Sequence, residues 1–339
     1  VLTVEATKDI LTGGLALATA GCAAAVLTVV ARRRSLLPLD RRGRRVTWGA
    51  AEIILAFLAM VLIQSTVLLA LDHSPLLRSL YELDVIPAEG PVSQRAALWA
   101  GVLSTPTVLG AVFGILWAVR RTPPRLVGAR AWRWPENIAL GFLAWIILTP
   151  FVFAIHYGVR YLHERVFQLP PQLHPLEQIF RGDALPVEWI LLVVQAVVLA
   201  PLLEELLFRG LLLPWLAKGP ARSAFAWLGA LILALAAFVG QERAEALSEV
   251  SFVLGVGLVG AVATKGETGP EWRWRGILGS SLLFAMFHAG AWPSPVPLFF
   301  LALGLGWLAQ RTGSLVGPIV LHALFNMVST LMLLRGWDV

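Results

Sequence analysis

Six polar side chains fall in stretches that are otherwise as apolar as a lipid tail. Glu204, Glu205 and Arg209 lie in LAPLLEELLFRG (199–210), His288 closes FAMFH (284–288), and His322 and Asn326 bracket HALFN (322–326). A positioned carboxylate can act as general base toward a water molecule. An imidazole beside it can hold and polarise that water, and a second imidazole with an amide can donate hydrogen bonds to a developing oxyanion. These parts suit direct attack of water on an amide bond. No serine or cysteine is placed as a nucleophile: Ser280 and Ser281 precede His288 by two turns, and Cys22 is remote in sequence. Two histidines and a glutamate can also ligate zinc and leave a position for water, although the spacing is not H-E-x-x-H. Buried acids can instead relay protons or ions through a transporter, a reading that calls for an internal repeat and polar groups spread across the bilayer. The sequence shows neither.

Helical periodicity groups these residues. Glu205 and Arg209 stand at i, i+4, face the same way and can pair, while Glu204 points about 100° away and is free for another task. His322 and Asn326 share a face by the same spacing, and Phe284 can pack beneath His288 as an aromatic floor. At 1.5 Å per residue, Glu204 lies ~24 Å below the outer start of its helix. His322, Asn326 and His288 lie ~12, ~18 and ~18 Å from the inner starts of theirs. Three separate helices thus place polar groups in one slab on the cytoplasmic side of the midplane. A charge at that depth costs at least ~2.5–3.5 kcal/mol, so it needs a partner or a function.

The elements that must carry these groups follow from composition. The chain has 339 residues, 58% of them hydrophobic and 14% charged, with a mean hydropathy of +0.75. A soluble protein carries about a quarter charged residues. Recurrent runs of about 20 apolar residues predict an all-α, polytopic membrane helix bundle. Ten spans are expected, at 10–31, 48–71, 96–119, 137–157, 188–217, 223–240, 250–264, 276–292, 296–311 and 314–335, the fifth emerging at its end along the interface. Eighteen of the 27 Lys and Arg fall in the loops that lie inside if the N-terminus is outside, which sets that orientation. The net charge of +6 therefore reflects orientation in a lipid bilayer, with no nucleic-acid partner. A bacterial inner membrane is the expected location.

Other polar residues receive ordinary roles. Glu52 reaches the interface, Gln64 and Gln195 form interhelical hydrogen bonds, and His156 is interfacial at the outer end of its span. Cys22 is a small core residue; a single cysteine excludes an intrachain disulfide. The outer loops 72–95 and 158–187 read as solvated connectors.

EELLFR (204–209) is similar to an E-E-x-x-x-R motif, FAMFH (284–288) to F-x-x-x-H, and HALFN (322–326) to H-x-x-x-N. In that order, each on an expected helix, they resemble the CAAX protease and bacteriocin-processing (CPBP, or Abi) family of intramembrane glutamic endopeptidases. The resemblance covers about 188–335; residues 1–187 are N-terminal membrane helices of unassigned role. It implies Glu204 as general base assisted by His288, with His322 and Asn326 as the oxyanion hole. Glu205 and Arg209 would support the site, Glu205 sharing in the catalytic work. It also implies a metal-free site without cofactor. The substrate would be a membrane-anchored or lipidated protein or peptide: a prenylated C-terminal tail, a peptide leader or a C-terminal sorting signal. Residues 223–264 depart from the family pattern as an inserted helical hairpin, whose even number of spans preserves sidedness. A catalytically silent immunity or scaffold protein on the same fold is the remaining alternative.

Overall fold

A computed structural model describes residues 46–72, 92–129, 133–166, 168, 186–217, 272–288 and 291–334. The expected spans at 10–31, 223–240 and 250–264, Cys22, and most of the two outer loops lie outside those residues. Seven helices are described: α1 (Ala50–Asp72), α2 (Val92–Arg120), α3 (Trp134–Tyr161), α4 (Pro186–Leu216), α5 (Trp272–Met286), α6 (Pro295–Thr312) and α7 (Val316–Leu334). No strand occurs among the described residues. Five of the helices, α1 to α4 and α7, are long and apolar enough to cross a membrane.

Local chemistry sets the helix ends. Pro186 and Pro295 open α4 and α6, where a missing N–H costs nothing because the first turn has no partner for it. Gly313 closes α6 in the left-handed region at φ 65°, and its N–H bonds the Ala309 carbonyl. Pro201 interrupts α4. It lacks an N–H, and the helix widens on either side of it into π stretches at Val194–Leu199 and Glu205–Leu212. The Ala200 N–H accordingly reaches the Gln195 carbonyl, five residues back.

The bundle has two packed centres with α4 beside both. In the first, Trp48, Phe57, Val112, Leu207, Leu211 and Phe284 bring α1, α2, α4 and α5 together. In the second, Phe153, Leu301, Leu305, Leu321 and Phe325 join α3, α6 and α7. Small residues let these helices approach: a Cβ on Gly141 of α3 would lie 2.5 Å from the Gly317 carbonyl oxygen, and one on Gly276 of α5 would lie 2.6 Å from that of Leu213. Close backbone packing of this kind holds helices together in lipid, where apolar burial gives little drive. The outer faces are apolar as lipid contact demands, with Leu62, Leu69 and Ile190 all exposed.

Three expectations are corrected. The end of α4 does not emerge along an interface: Leu211, Leu213, Trp215 and Leu216 are buried, because α5 packs directly along them and the Trp48 indole donates to the Leu211 carbonyl at 3.0 Å. Glu52 does not reach out to water; it is buried, pairs with Arg120 at 2.7 Å and accepts the Gly49 N–H at 2.7 Å. The eighth expected span is shorter than 276–292 predicts. It begins at Trp272 and ends at Met286, so His288 stands in the turn just beyond the helix.

Candidate functional site

Glu204 and Glu205 leave α4 on different sides, as their phase requires. Glu205 is fully buried. Its Oε1 accepts from Arg209 Nη1 at 2.8 Å and lies 2.9 Å from His322 Nδ1. A carboxylate oxygen only accepts, so this imidazole nitrogen carries the hydrogen. Arg209, also fully buried, reaches the Ala302 carbonyl with Nη2 at 3.4 Å, and its guanidinium lies over the Phe284 ring, 4.5 Å from the centroid. The expected i, i+4 pair is present, and it extends across to α7 through His322.

The other face of the same imidazole turns to Glu204. His322 Nε2 lies 3.8 Å from Glu204 Oε2, beyond hydrogen-bond range. The Glu204 side chain is 26% exposed and opens on a cavity of about 430 Å³, within the usual size of ligand pockets. His288 lines it too. The His288 backbone N–H bonds the Ala285 carbonyl at 3.0 Å, tightening the helix end. Its Nδ1 donates to the Phe284 carbonyl at 2.9 Å, which leaves Nε2 as the ring atom available for chemistry. Phe284 is the aromatic floor, shared by both imidazoles: its ring centroid is 4.9 Å from that of His288 and 5.7 Å from that of His322.

Asn326 reaches the cavity for a reason that lies in another helix. The π stretch sends the Ala200 N–H to Gln195, and Pro201 has none to give. Helix α4 thus offers the Ala196 carbonyl no partner, and Asn326 Nδ2 supplies one at 2.8 Å. One hydrogen bond satisfies the orphaned carbonyl and locks α7 against α4. The second amide hydrogen remains for another acceptor.

Glu204, Phe284, His288, His322 and Asn326 therefore line one cavity, while Glu205 and Arg209 are fully buried beside it. His156, Arg160 and Gln195 line the same cavity, and the sequence reading left them with bland roles. The available signal was the phase of His156 and Arg160, one turn apart on α3, but nothing in sequence tells which neighbour that face meets. Gln195 makes no interhelical hydrogen bond with its Oε1, which is buried and unpaired. Among the described residues, no group of three or more His, Cys, Asp or Glu side chains is arranged to hold a metal ion.

An all-helical protein with membrane-length spans and an acid–imidazole–amide cluster in its interior belongs to the class of polytopic membrane proteins with a buried polar site. A family model described as type II CAAX prenyl endopeptidase, Rce1-like, matches residues 186–266 and 262–328. The family that this model describes is part of the wider CPBP/Abi family, whose proteases act on prenylated or membrane-associated substrates. No curated protein and no solved structure matches the chain.

Proposed function

We propose that the protein is an intramembrane endopeptidase that hydrolyses a peptide bond with water activated by Glu204. The observation that carries this reading is the 3.8 Å approach of Glu204 Oε2 to His322 Nε2 on the wall of a cavity that also receives His288 and Asn326. Glu204 takes a proton from the attacking water, assisted by Nε2 of His288. The new carbon–oxygen bond pushes charge onto the carbonyl oxygen. That oxyanion is met at the Nε2 edge of the His322 ring and by the second amide hydrogen of Asn326. Collapse breaks the carbon–nitrogen bond, and the proton held by Glu204 passes to the leaving amine. Glu205 fixes the His322 ring from behind, and Arg209 balances the charge of Glu205.

The substrate class is a membrane-anchored or lipidated protein or peptide, presented as a prenylated tail, a leader or a C-terminal sorting signal. The ten-span arrangement with the N-terminus outside, in a bacterial inner membrane, belongs to the same reading, as does a catalytic bundle at 188–335 carrying an inserted hairpin at 223–264. Helix α3, from the N-terminal part, walls the cavity and so contributes to substrate binding. The test is a comparison of membrane-anchored peptides in cells carrying the wild type or Glu204→Gln. A peptide that accumulates uncut only with the variant identifies the substrate; identical peptide profiles reject the protease.

A further inference from the structure

A chain cut inside a membrane meets a problem before any chemistry occurs. Its scissile region must be extended, and each unpaired backbone N–H and C=O in an apolar setting costs several kcal/mol. A cavity that receives such a strand must offer it hydrogen-bond partners beyond the catalytic groups.

Two residues that line the cavity carry polar atoms suited to this. His156 Nε2 on α3 and Gln195 Oε1 on α4 are buried and have no hydrogen-bond partner, and both residues line the cavity. Buried polar atoms are normally paired, and each exception calls for an explanation. Unpaired atoms also occur on Trp145, Thr149 and Trp215, but those residues do not line the cavity. Beside Glu204 Oε2, which the proposed reaction uses, His156 and Gln195 are the cavity residues left with such atoms.

Their positions along the bundle are set by neighbours. Gln195 adjoins Ala196, whose carbonyl is bonded to Asn326 at 2.8 Å, so Gln195 sits at the level of Asn326. Phe153 packs on Phe325 with ring centroids 5.4 Å apart, and His156 lies three residues further along α3, about 4.5 Å. Both groups thus fall within roughly one helical turn of Asn326, or one to two residues of an extended strand at about 3.3 Å each. Gln195 stands in the π stretch before Pro201, and its amide lies where Gly101 of α2 has no Cβ: one there would fall 3.0 Å from Gln195 Cδ.

We propose that His156 and Gln195 form a backbone-binding pair for the substrate strand beside the scissile bond. His156 Nε2–H donates to a peptide carbonyl, and Gln195 Oε1 accepts a peptide N–H. One donor and one acceptor match what a single extended residue presents, whatever its side chain. The pair holds substrate backbone and takes no part in proton transfer. This rests on the endopeptidase reading of the same cavity.

The test uses the purified full chain in detergent micelles and a library of internally quenched, lipid-anchored octapeptides. Wild type, Glu204→Gln, His156→Phe, Gln195→Leu and the conservative His156→Gln are compared, with thermal unfolding as the check on folding. The pair predicts that His156→Phe and Gln195→Leu each raise KM about tenfold while kcat stays within about threefold, as the loss of one hydrogen bond allows. His156→Gln, which keeps an N–H donor, recovers most of the loss. KM values unchanged in variants that fold, beside Glu204-dependent cleavage by wild type, overturn the backbone pair and leave the protease intact. Equal loss in His156→Phe and His156→Gln reduces His156 to a structural role and also overturns it. If the wild type cleaves no member of the library, the protease reading falls and takes the pair with it.

Discussion

Glu205 and His322 are 117 residues apart in the chain and 2.9 Å apart in the fold. Arg209 holds the carboxylate from one side, and the imbedded imbalance of a lone buried acid is avoided. Glu204 approaches the far nitrogen of the same ring at 3.8 Å. One histidine thereby links an acid that is sealed in the core to an acid that faces the cavity, and the two adjacent carboxylates have different surroundings.

Glu204→Gln is expected to reduce cleavage by about 10²–10⁴-fold, the range for loss of a general base. Its side chain is part-exposed and makes no hydrogen bond through Oε2, so folding should be unaffected. Initial rates and thermal unfolding of the purified variant check both halves of the statement. Loss of activity only in proportion to loss of folded protein would count against the role.

Arg209→Met should behave in the opposite way. It strands the buried Glu205 carboxylate, and breaking a buried ion pair from one side costs about 3–5 kcal/mol. The double variant Glu205→Gln with Arg209→Met should be more stable than Arg209→Met alone. Denaturant unfolding in micelles, read by tryptophan fluorescence, measures the difference; additive losses would show that the pair is not coupled.

Asn326→Leu removes two hydrogen bonds at once. The Ala196 carbonyl loses its partner, at about 1–3 kcal/mol of stability. The oxyanion loses a donor, at about 2.7–4 kcal/mol in kcat. A kcat loss of about 10²–10³-fold with a lowered unfolding midpoint is the expected signature.

Gly141→Val tests the placement of α7 without touching a polar group. The new side chain meets the Gly317 carbonyl, where even a Cβ would stand at 2.5 Å. Overpacking costs about 1–3 kcal/mol. Because α7 carries both His322 and Asn326, kcat should fall although every polar group remains. Full activity would mean that α7 can shift without consequence for the site.

The sequence determined the relations that one helix imposes on itself. Pitch and rise fixed the pairing of Glu205 with Arg209, the divergence of Glu204 from Glu205, and the shared face of His322 and Asn326. Apolar run length gave helices close to the observed α1, α2, α3, α4, α6 and α7. The relations between helices were decided only by tertiary structure, because they depend on which surfaces can approach, and that is set by glycines, prolines and side-chain volume acting together. The contact of His322 with both acids, the bond from Asn326 to a carbonyl orphaned by Pro201, the exit of His288 from its helix and the wall that α3 lends to the cavity all belong to this second kind. A side chain's direction along its own helix follows from a period, whereas what it meets there follows from packing.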